Sequence, residues 1–316
     1  MTRDPASTMR AALLHGPGDL RVESIPVPGV GEEELLVRVE ACGICPTDVR
    51  KFEIGADRYP LNPGHEWVGR VEVSDADGWS PGDRVYGDTY AGYAEFAVIP
   101  VGARDWSAGP VRLPTDLPLE RAIFVEPLAD CLHAVRDRAE IDAGDHVAVV
   151  GAGQMGLQLC AVASLVGARV TAVEPLEERR KLARAFGAAD ALERLTGGPF
   201  DAVIWSVGRA ELVEPALRAC VPGGRVVLFA GIGEVARTEL DLDLIHYREL
   251  VLTGSEWVGT PPNQRRERYG EALDLLVAGR VPVERLVTSR CGLDDLPAAF
   301  RDVSALRGLK TVLVLP

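Results

Sequence analysis

Three short segments in the first half of the chain carry side chains that can bind a metal ion: Cys42-Gly-Ile-Cys45, Gly64-His65-Glu66 and Phe124-Val-Glu126. A catalytic zinc ion needs three protein ligands drawn from Cys, His and carboxylate side chains, with a fourth position open for water or substrate. Cys45, His65 and Glu126 meet that requirement, and Glu66 can serve as an exchangeable fourth ligand. These residue types predict one catalytic Zn2+ ion per chain.

The spacing from Cys42 to Cys45 allows a second interpretation, because Cys-x-x-Cys also forms redox pairs in thioredoxin-like proteins. Here the pair follows β-rich sequence and precedes Pro46-Thr-Asp, which is a different context. We therefore expect Cys42 to be a small buried residue and Cys45 to be the metal ligand.

A glycine-rich turn lies in the middle of the chain, within Val147-Ala-Val-Val-Gly151-Ala-Gly153-Gln154-Met155-Gly156. The pattern GxGxxG comes directly after a predicted strand and opens a predicted helix. Gly151 permits the sharp turn, Gly153 lets the backbone approach a pyrophosphate, and Gly156 lets the helix pack on the strand. The N–H groups and dipole of the helix N-terminus would hold the diphosphate. The turn, with Gln154 and Met155, is therefore a predicted cofactor-binding segment.

Glu174 indicates which dinucleotide this turn binds. It lies 23 residues after Gly151, at the end of the next predicted strand, where a carboxylate can accept hydrogen bonds from the adenosine ribose. A carboxylate there also repels a 2′-phosphate, so NAD is favoured over NADP, although Arg179 and Arg180 could soften that preference. Taken alone, the glycines also fit a flavin site, an S-adenosylmethionine site or a turn that binds nothing.

Two kinds of sequence surround these residues. About the first 120 residues contain alternating segments such as Glu34–Glu40 and Trp67–Val73 between Pro/Gly-rich turns, which is typical of β-structure. From Val147 onward, strand-like and helix-like segments alternate, as at Arg169–Val173 and Leu176–Phe186. That alternation predicts a doubly wound parallel sheet.

The end of the chain changes character again, with a helical pattern at Tyr269–Ala278 and a strand-like end at Lys310–Leu315. About the last sixty residues fit no further βαβ unit. We expect them to return to the first domain and complete its sheet. The predicted division is a β-rich catalytic domain over residues 1–122, an NAD-binding α/β domain over residues 123–256, and a return to the catalytic domain over residues 257–316.

Composition and charge exclude several classes of protein. The 316 residues include 34 basic and 47 acidic side chains, giving a net charge of −13, so the surface repels nucleic acid and anionic membranes. Residues 147–168 lack charge and are long enough to span a membrane, but their glycines predict a strand, a turn and a buried helix instead. Six scattered cysteines and the lack of a secretory apolar segment predict a reducing cytoplasm.

Six motifs, in the order GICPTD, PGHEWVGRV, PGDRV, GYAEF, VEPLADCLHAV and VAVVGAGQMG, resemble those of the zinc-dependent alcohol dehydrogenases of the medium-chain dehydrogenase/reductase superfamily. The resemblance covers almost the whole chain and implies an α/β protein with a GroES-like catalytic domain and a Rossmann domain. Glu126-Pro-Leu, where alcohol-oxidising animal members carry a cysteine, is similar to the polyol (sorbitol-type) and threonine dehydrogenase branch. Cys45 and His65 match the first two zinc ligands and Glu126 the third position, while Glu66 is a direct or an alternate ligand in the polyol branch.

The resemblance also implies a proton relay along the segment after Cys45. Thr47 matches the hydroxyl that passes the substrate's proton outward, and Asp48 matches the carboxylate that orients the histidine ligand. Arg50 stands where many relatives have a histidine, and arginine cannot accept a proton near neutral pH. The relay must then run from Thr47 to a ribose hydroxyl and solvent, or Arg50 instead recognises a polar or anionic substrate or simply binds a surface carboxylate. Asp130 is a further departure, expected near the nicotinamide.

Another departure concerns a four-cysteine lobe that holds a structural zinc in many members, between segments like Gly82–Val85 and Gly92–Phe96. Only six residues, Tyr86–Ala91, separate these segments here, and none is cysteine. We therefore expect the lobe and its zinc to be absent. Whatever oligomer contact or substrate wall the lobe builds elsewhere must be made differently in this chain.

The resemblance implies a zinc-dependent oxidoreductase that transfers a hydride between NAD and a secondary alcohol or ketone. Polyols, sugars, cyclitols and amino alcohols all fit as small-molecule partners, and a homodimer or homotetramer is expected. A zinc-free quinone or enone reductase of the same superfamily is one alternative, opposed by Cys45, His65 and Glu126. A nucleotide-binding regulatory protein without turnover is another, opposed by Thr47 and Glu174.

Overall fold

The computed structural model describes residues 7–102, 107–196, 198–231 and 237–316. The chain divides into two compact units, which we call the split unit and the central unit. The split unit is formed by Met1–Glu126 and Thr260–Pro316, and the central unit by Pro127–Gly259. The boundaries predicted from the sequence lie a few residues earlier, after residues 122 and 256.

The described residues form fifteen strands: β1 (Thr8–Gly16), β2 (Asp19–Pro26), β3 (Glu34–Gly43), β4 (Trp67–Ser74), β5 (Arg84–Gly87), β6 (Phe96–Pro100), β7 (Val111–Arg112), β8 (His146–Val150), β9 (Arg169–Val173), β10 (Asp190–Leu192), β11 (Phe200–Trp205), β12 (Cys220–Leu228), β13 (Val251–Gly254), β14 (Val287–Cys291) and β15 (Lys310–Val314). They also form nine α-helices: α1 (Pro46–Ile54), α2 (Leu119–Ala122), α3 (Val125–Leu132), α4 (Gln154–Val166), α5 (Glu177–Ala185), α6 (Val213–Ala219), α7 (Leu242–Tyr247), α8 (Pro262–Val277) and α9 (Leu296–Ser304). A π-helical turn continues α3, and two short 3-10 turns complete the elements: His133–Arg138, Ala210–Leu212 and Val283–Leu286.

The split unit contains a seven-stranded sheet with β3 near its centre. Its strand order is β14-β15-β3-β4-β5-β7, and β6 also pairs with β3. β3 runs antiparallel to β15 on one side and to β4 on the other. Both faces of β3 are covered, since Leu35 and Val37 pack into one apolar core and Leu36 packs into another. The register of β3 is therefore strongly specified, because a slip by one residue would exchange its two faces.

The end of the chain returns to this sheet, as predicted, because β15 pairs with β3. The prediction that it holds no further βαβ unit was wrong, since β14 and β15 are parallel and are joined through α9. The sequence conceals β14, whose residues VTSRC are mostly exposed or half-buried and lack an apolar run. The helix predicted from Tyr269 begins earlier, at Pro262. The sequence did not reveal its first turns because they are polar and show no apolar helical repeat.

The central unit is built on a six-stranded parallel sheet in the order β10-β9-β8-β11-β12-β13. Counted from β8, this is the order 3-2-1-4-5-6 of doubly wound dinucleotide-binding folds. The predicted parallel sheet is confirmed. Residues 147–168 form most of β8, the glycine turn and α4, also as predicted. In the part of the chain that the structure describes, no helix is both long enough and apolar enough to cross a membrane.

Candidate functional site

Two of the predicted metal-binding segments meet at one end of the sheet in the split unit. Cys42 in β3 pairs with Trp67 in β4, so the end of β3 lies beside the beginning of β4. Cys45 follows β3 as the N-cap residue of α1, and His65 and Glu66 directly precede β4. As a result, candidate ligand atoms of Cys45, His65 and Glu66 lie within 4.8 Å of one another.

Asp48 supports His65 in this group. The Asp48 side chain is fully buried, with one oxygen 3.5 Å from Nδ1 of His65 and the other accepting a 2.9 Å hydrogen bond from the Tyr93 hydroxyl. Burial would raise the pKa of Asp48, but His65, Lys51 and Tyr93 outweigh burial and lower that pKa. Burial would lower the pKa of His65, whereas Asp48 and Cys45 raise it well above its ordinary value. A carboxylate at Nδ1 leaves Nε2 to act as the ligand atom.

Glu66 forms a buried ion pair with Lys310, the first residue of β15. Burial would lower the pKa of Lys310, but Glu66 and Cys45 outweigh burial and raise it, so the ammonium group stays charged. Gly43 allows this close approach, since any side chain there would collide with the Glu66 carboxylate and with Lys310. Because loss of one partner from a buried pair costs about 3–5 kcal/mol, the pair holds Glu66 firmly in place.

Glu126 lies near this group but is not a member of it by the 4.8 Å distance. It stands in the first turn of α3. Burial raises the pKa of the Tyr86 hydroxyl, and the charges of Glu126 and Glu66 raise it further. The assignment of Glu126 as the third zinc ligand, with Glu66 as an exchangeable fourth, stays a prediction. The geometry favours Glu66 as the third ligand.

The segment between β5 and β6, where the sequence predicts a missing lobe, is tightly held. Asp88 at its start is fully buried. Its carboxylate accepts hydrogen bonds from the Ser107 hydroxyl, from the Ala108 N–H at 2.7 Å and from the Tyr269 hydroxyl at 3.1 Å. Backbone hydrogen bonds also join residues 91–93 to residues 62–64, just before His65. Across the described ranges, no second group of three clustered metal-binding side chains is found.

Helix α1 carries the other predicted residues of the proton relay. Thr47 and Arg50 are both exposed. Lys51, one turn after Thr47, is half-buried, and its ammonium nitrogen lies 2.5 Å from the Tyr90 hydroxyl and 4.6 Å from the centre of the Tyr90 ring. That ring packs edge-on against His65, with the ring centres 5.6 Å apart. Lys51 and Tyr90 therefore border the group of metal-binding side chains.

The glycine turn has the backbone geometry that its sequence predicts. Gly151 has a φ of 98°, which disfavours any other residue, and a side chain at Gly156 would collide with the Gly151 carbonyl. Beside Gly153, in contrast, a side chain would meet nothing within 4 Å, so this face of the turn is open. Gln154 and Met155 begin α4, and within the described chain the buried Gln154 Oε1 has no hydrogen-bond partner. An orphaned acceptor beside an open glycine fits a bound polar cofactor.

Glu174 directly follows β9 and is tied to this turn. One carboxylate oxygen accepts the Ala152 N–H at 2.9 Å, and the other accepts the Leu176 N–H at 3.1 Å. Arg180 donates to the backbone carbonyls of Glu174 and Pro175, at 2.7 and 2.5 Å. The guanidinium group of Arg180 therefore points toward backbone oxygens. In that position it does less to soften the preference for NAD over NADP.

Comparison with known proteins identifies the family of this chain. A model of zinc-binding dehydrogenases matches residues 153–278, and a model of the alcohol dehydrogenase GroES-like domain matches residues 31–102. The erythritol/L-threitol dehydrogenase of Mycolicibacterium smegmatis is 30% identical, with 100% of both chains covered. This chain belongs to the zinc-type alcohol dehydrogenases of the medium-chain dehydrogenase/reductase superfamily.

Further relatives of this alcohol dehydrogenase show the same relationship. Human sorbitol dehydrogenase is 29% identical over 95% of this chain and 94% of its own. A zinc-binding dehydrogenase from Sinorhizobium meliloti, solved with bound NADP, is 27% identical with a TM-score of 0.86, covering 98% of this chain and 100% of its own. The predicted family, its two-domain α/β fold and its zinc and nicotinamide chemistry are confirmed. The choice between NAD and NADP stays a prediction.

Sequence reasoning missed three residues at the border of the metal-binding group: Lys51, Tyr90 and Lys310. A single lysine beginning the apolar strand Lys310-Thr-Val-Leu-Val was a usable signal, because a charge in a buried strand needs a partner. The contact between Lys51 and Tyr90 had no such signal, since the two residues are 39 positions apart and each is unremarkable alone.

Metal content tests the ligand assignment. We expect Cys45→Ser to lose most bound zinc because it removes a thiolate ligand, and the wild type to hold one zinc ion per chain. Cys42→Ser is the matched control: Cys42 is fully buried and burial raises the pKa of its thiol, so it should not bind metal. Elemental analysis of the purified variants gives the result, and Glu66→Gln should lose more zinc than Glu126→Gln. Two zinc ions per wild-type chain, or zinc loss in Cys42→Ser, would contradict the assignment.

Proposed function

We propose that this chain is an NAD-dependent, zinc-containing dehydrogenase that oxidises a secondary alcohol of the polyol class to a ketone and catalyses the reverse reduction. The observation that carries the proposal is the group of Cys45, His65 and Glu66, whose candidate ligand atoms lie within 4.8 Å of one another. The relatives named erythritol/L-threitol dehydrogenase and sorbitol dehydrogenase support the polyol class.

In this proposal Cys45, His65 and Glu66 hold the metal ion. Bound zinc supplies a Lewis acid that lowers the pKa of an alcohol hydroxyl toward neutrality. Asp48 orients His65, and Lys310 orients Glu66, so that two of the three ligand side chains are positioned by buried charges. Such supporting contacts matter because misplaced ligands lose metal affinity and activity.

Thr47 is the residue that we assign to moving the substrate's proton. It lies two residues after Cys45, in the first turn of α1, and is exposed. Its hydroxyl can accept the proton of the alcohol and donate its own to solvent or to a ribose hydroxyl. Arg50 is exposed, and a guanidinium group has no acceptor for a proton, so we assign it no part in this transfer.

The glycine turn and Glu174 form the proposed dinucleotide site. The open face at Gly153 lets a diphosphate reach the N–H groups that begin α4. Glu174 already accepts two backbone N–H groups, and the remaining lone pairs of its two oxygens can accept ribose hydroxyls. A 2′-phosphate there would meet a buried carboxylate, which favours NAD.

A zinc-free quinone or enone reductase shares this fold and turn, but it has no use for the clustered ligand set. The buried partners Asp48 and Lys310 make the set costly to keep without a metal, because they place several charges out of water. A nucleotide-binding protein without turnover is disfavoured by the same argument.

The assembly and the compartment are part of this proposal. We assign a homodimer or homotetramer in the cytoplasm. Within the described residues β13 pairs with no strand other than β12 and forms one edge of the central sheet. An open edge strand is a surface on which a second copy can pair.

An NAD-coupled oxidation screen over polyols, sugars and cyclitols tests the activity. We expect zinc-loaded protein to form NADH with at least one polyol, and a chelator to abolish the activity until zinc is restored. Cys45→Ser provides the matched inactive control. If zinc-loaded wild type oxidises no secondary alcohol with either NAD or NADP, the proposed function is wrong.

Glu174→Gln tests the cofactor preference. Glutamine has the same size as glutamate but no charge. Its amide N–H would face one of the groups that now donate a hydrogen bond to Glu174. We expect NADH binding to weaken by about 1–3 kcal/mol and discrimination against NADPH to decrease. Fluorescence titration with both cofactors measures this, with thermal unfolding to check that the turn remains folded. A wild type that binds NADPH more tightly would contradict the assignment.

Thr47 is tested by three substitutions that leave the metal ligands and the glycine turn intact. Thr47→Ala should reduce kcat by about 100- to 10,000-fold, the usual contribution of positioned proton transfer, while zinc content and NADH affinity persist. Thr47→Ser keeps the hydroxyl and should retain most activity, whereas Thr47→Val keeps only the shape. An active valine variant, measured at saturating NAD, would remove Thr47 from the mechanism.

A further inference from the structure

Lysine is rare in this chain, which contains three: Lys51, Lys181 and Lys310. Lys310 is paired with Glu66, and Lys181 forms an exposed ion pair with Glu177 on α5. Lys51 differs from both. It is half-buried, and in the part of the chain that the structure describes no carboxylate lies within 4.0 Å of its ammonium group.

Among the described residues, Tyr90 is the polar contact of the Lys51 ammonium group. Its nitrogen lies 2.5 Å from the hydroxyl and 4.6 Å from the ring centre. Asp48 is close enough to be stabilised by the charge of Lys51, but the Asp48 oxygens face His65 and Tyr93 instead. The ammonium group therefore has N–H donors that no carboxylate satisfies, at the border of the metal-binding group.

The backbone holds Tyr90 rigidly in this position. Ala91, the next residue, has a φ of 92°, a left-handed conformation that strains a non-glycine residue. The Ala91 N–H donates to the Asn62 carbonyl, and Gly92 N–H to the Gly64 carbonyl, at 3.2 and 2.9 Å. Asp88 anchors the other end of the segment. Strain kept in place by such contacts is typical of functional sites.

We propose that Lys51, positioned by Tyr90, binds an acceptor oxygen that the substrate carries next to its reacting carbinol carbon, and that its charge excludes a substrate with an ammonium group there. A lysine ammonium has only donors, so it selects hydroxyl or carboxylate oxygens and repels a cation. Tyr90 and its short segment then supply the substrate wall that the absent lobe would otherwise build. This inference rests on the proposed function for the identity of the reacting carbon.

Four small probes share a secondary alcohol and differ in the groups beside it: glycerate offers a carboxylate, glycerol offers hydroxyl groups, 2-propanol offers only methyl groups, and 1-amino-2-propanol offers an ammonium group and a methyl group. For the wild type we expect KM to rise in the order glycerate, glycerol, 2-propanol, 1-amino-2-propanol. Lys51→Met should remove this order by raising the KM for glycerate about 10- to 100-fold. That is the change in affinity expected for the loss of one charge-assisted hydrogen bond. Lys51→Arg should retain most of the difference in KM between the probes, and Tyr90→Phe should reduce that difference in part. The change should appear in KM more than in kcat.

Lys181→Met is the control, because it removes a lysine that is exposed and distant in sequence from the metal-binding group. Calorimetric Kd values for glycerate, measured on the same proteins, separate this inference from the proposed function. If no probe is oxidised but Lys51→Met alone weakens glycerate binding, the inference stands and the proposed reaction fails. An unchanged probe order and unchanged glycerate Kd in Lys51→Met, or no probe binding to the wild type, would overturn the inference.

Discussion

The position of β3 between β15 and β4 is the constraint on which the metal-binding group depends. Both neighbours run antiparallel to β3, so the end of β3 lies beside the beginnings of the other two strands. Cys45 follows β3, Glu66 precedes β4, and Lys310 begins β15. The Gly43 N–H donates to the Glu66 carbonyl at 2.8 Å, and the absence of a side chain at Gly43 leaves room for the ion pair. A sheet register thus sets the distances among donor atoms that are far apart in sequence.

Charge balance around this group explains why its polar residues can be buried. The chain as a whole has a net charge of −13, yet two of its three lysines lie beside these acidic side chains. Lys310 neutralises Glu66, and Lys51 stabilises the carboxylate of Asp48. Buried carboxylates without such partners would be protonated or would destabilise the fold. The same arrangement keeps Asp48 ionised and therefore able to orient His65.

Much of this organisation could be predicted from the sequence, for a definite reason. Cys45 and His65 belong to short motifs, and the glycine turn and Glu174 lie within one βαβ unit, so local spacing was enough to find them. The third ligand could not be decided from the sequence, because Glu66 and Glu126 are both carboxylates in short motifs and only their positions in the fold distinguish them. Lys310 is 244 positions from Glu66, and β14 has too few apolar residues to be recognised. These features depend on contacts between distant segments, which a single sequence does not display.

Glu174 has a structural role in the central unit besides the role in specificity that we propose for it. Its two oxygens accept N–H groups from Ala152, within the glycine turn, and from Leu176, just before α5. The carboxylate therefore joins the turn after β8 to the turn after β9, in addition to facing the proposed ribose. Each oxygen has two lone pairs, so these backbone contacts leave acceptor capacity for a ligand. Because the same charge holds the turn in place, a change of cofactor preference at this position must be accompanied by another acceptor for the Ala152 N–H, or the turn itself is weakened.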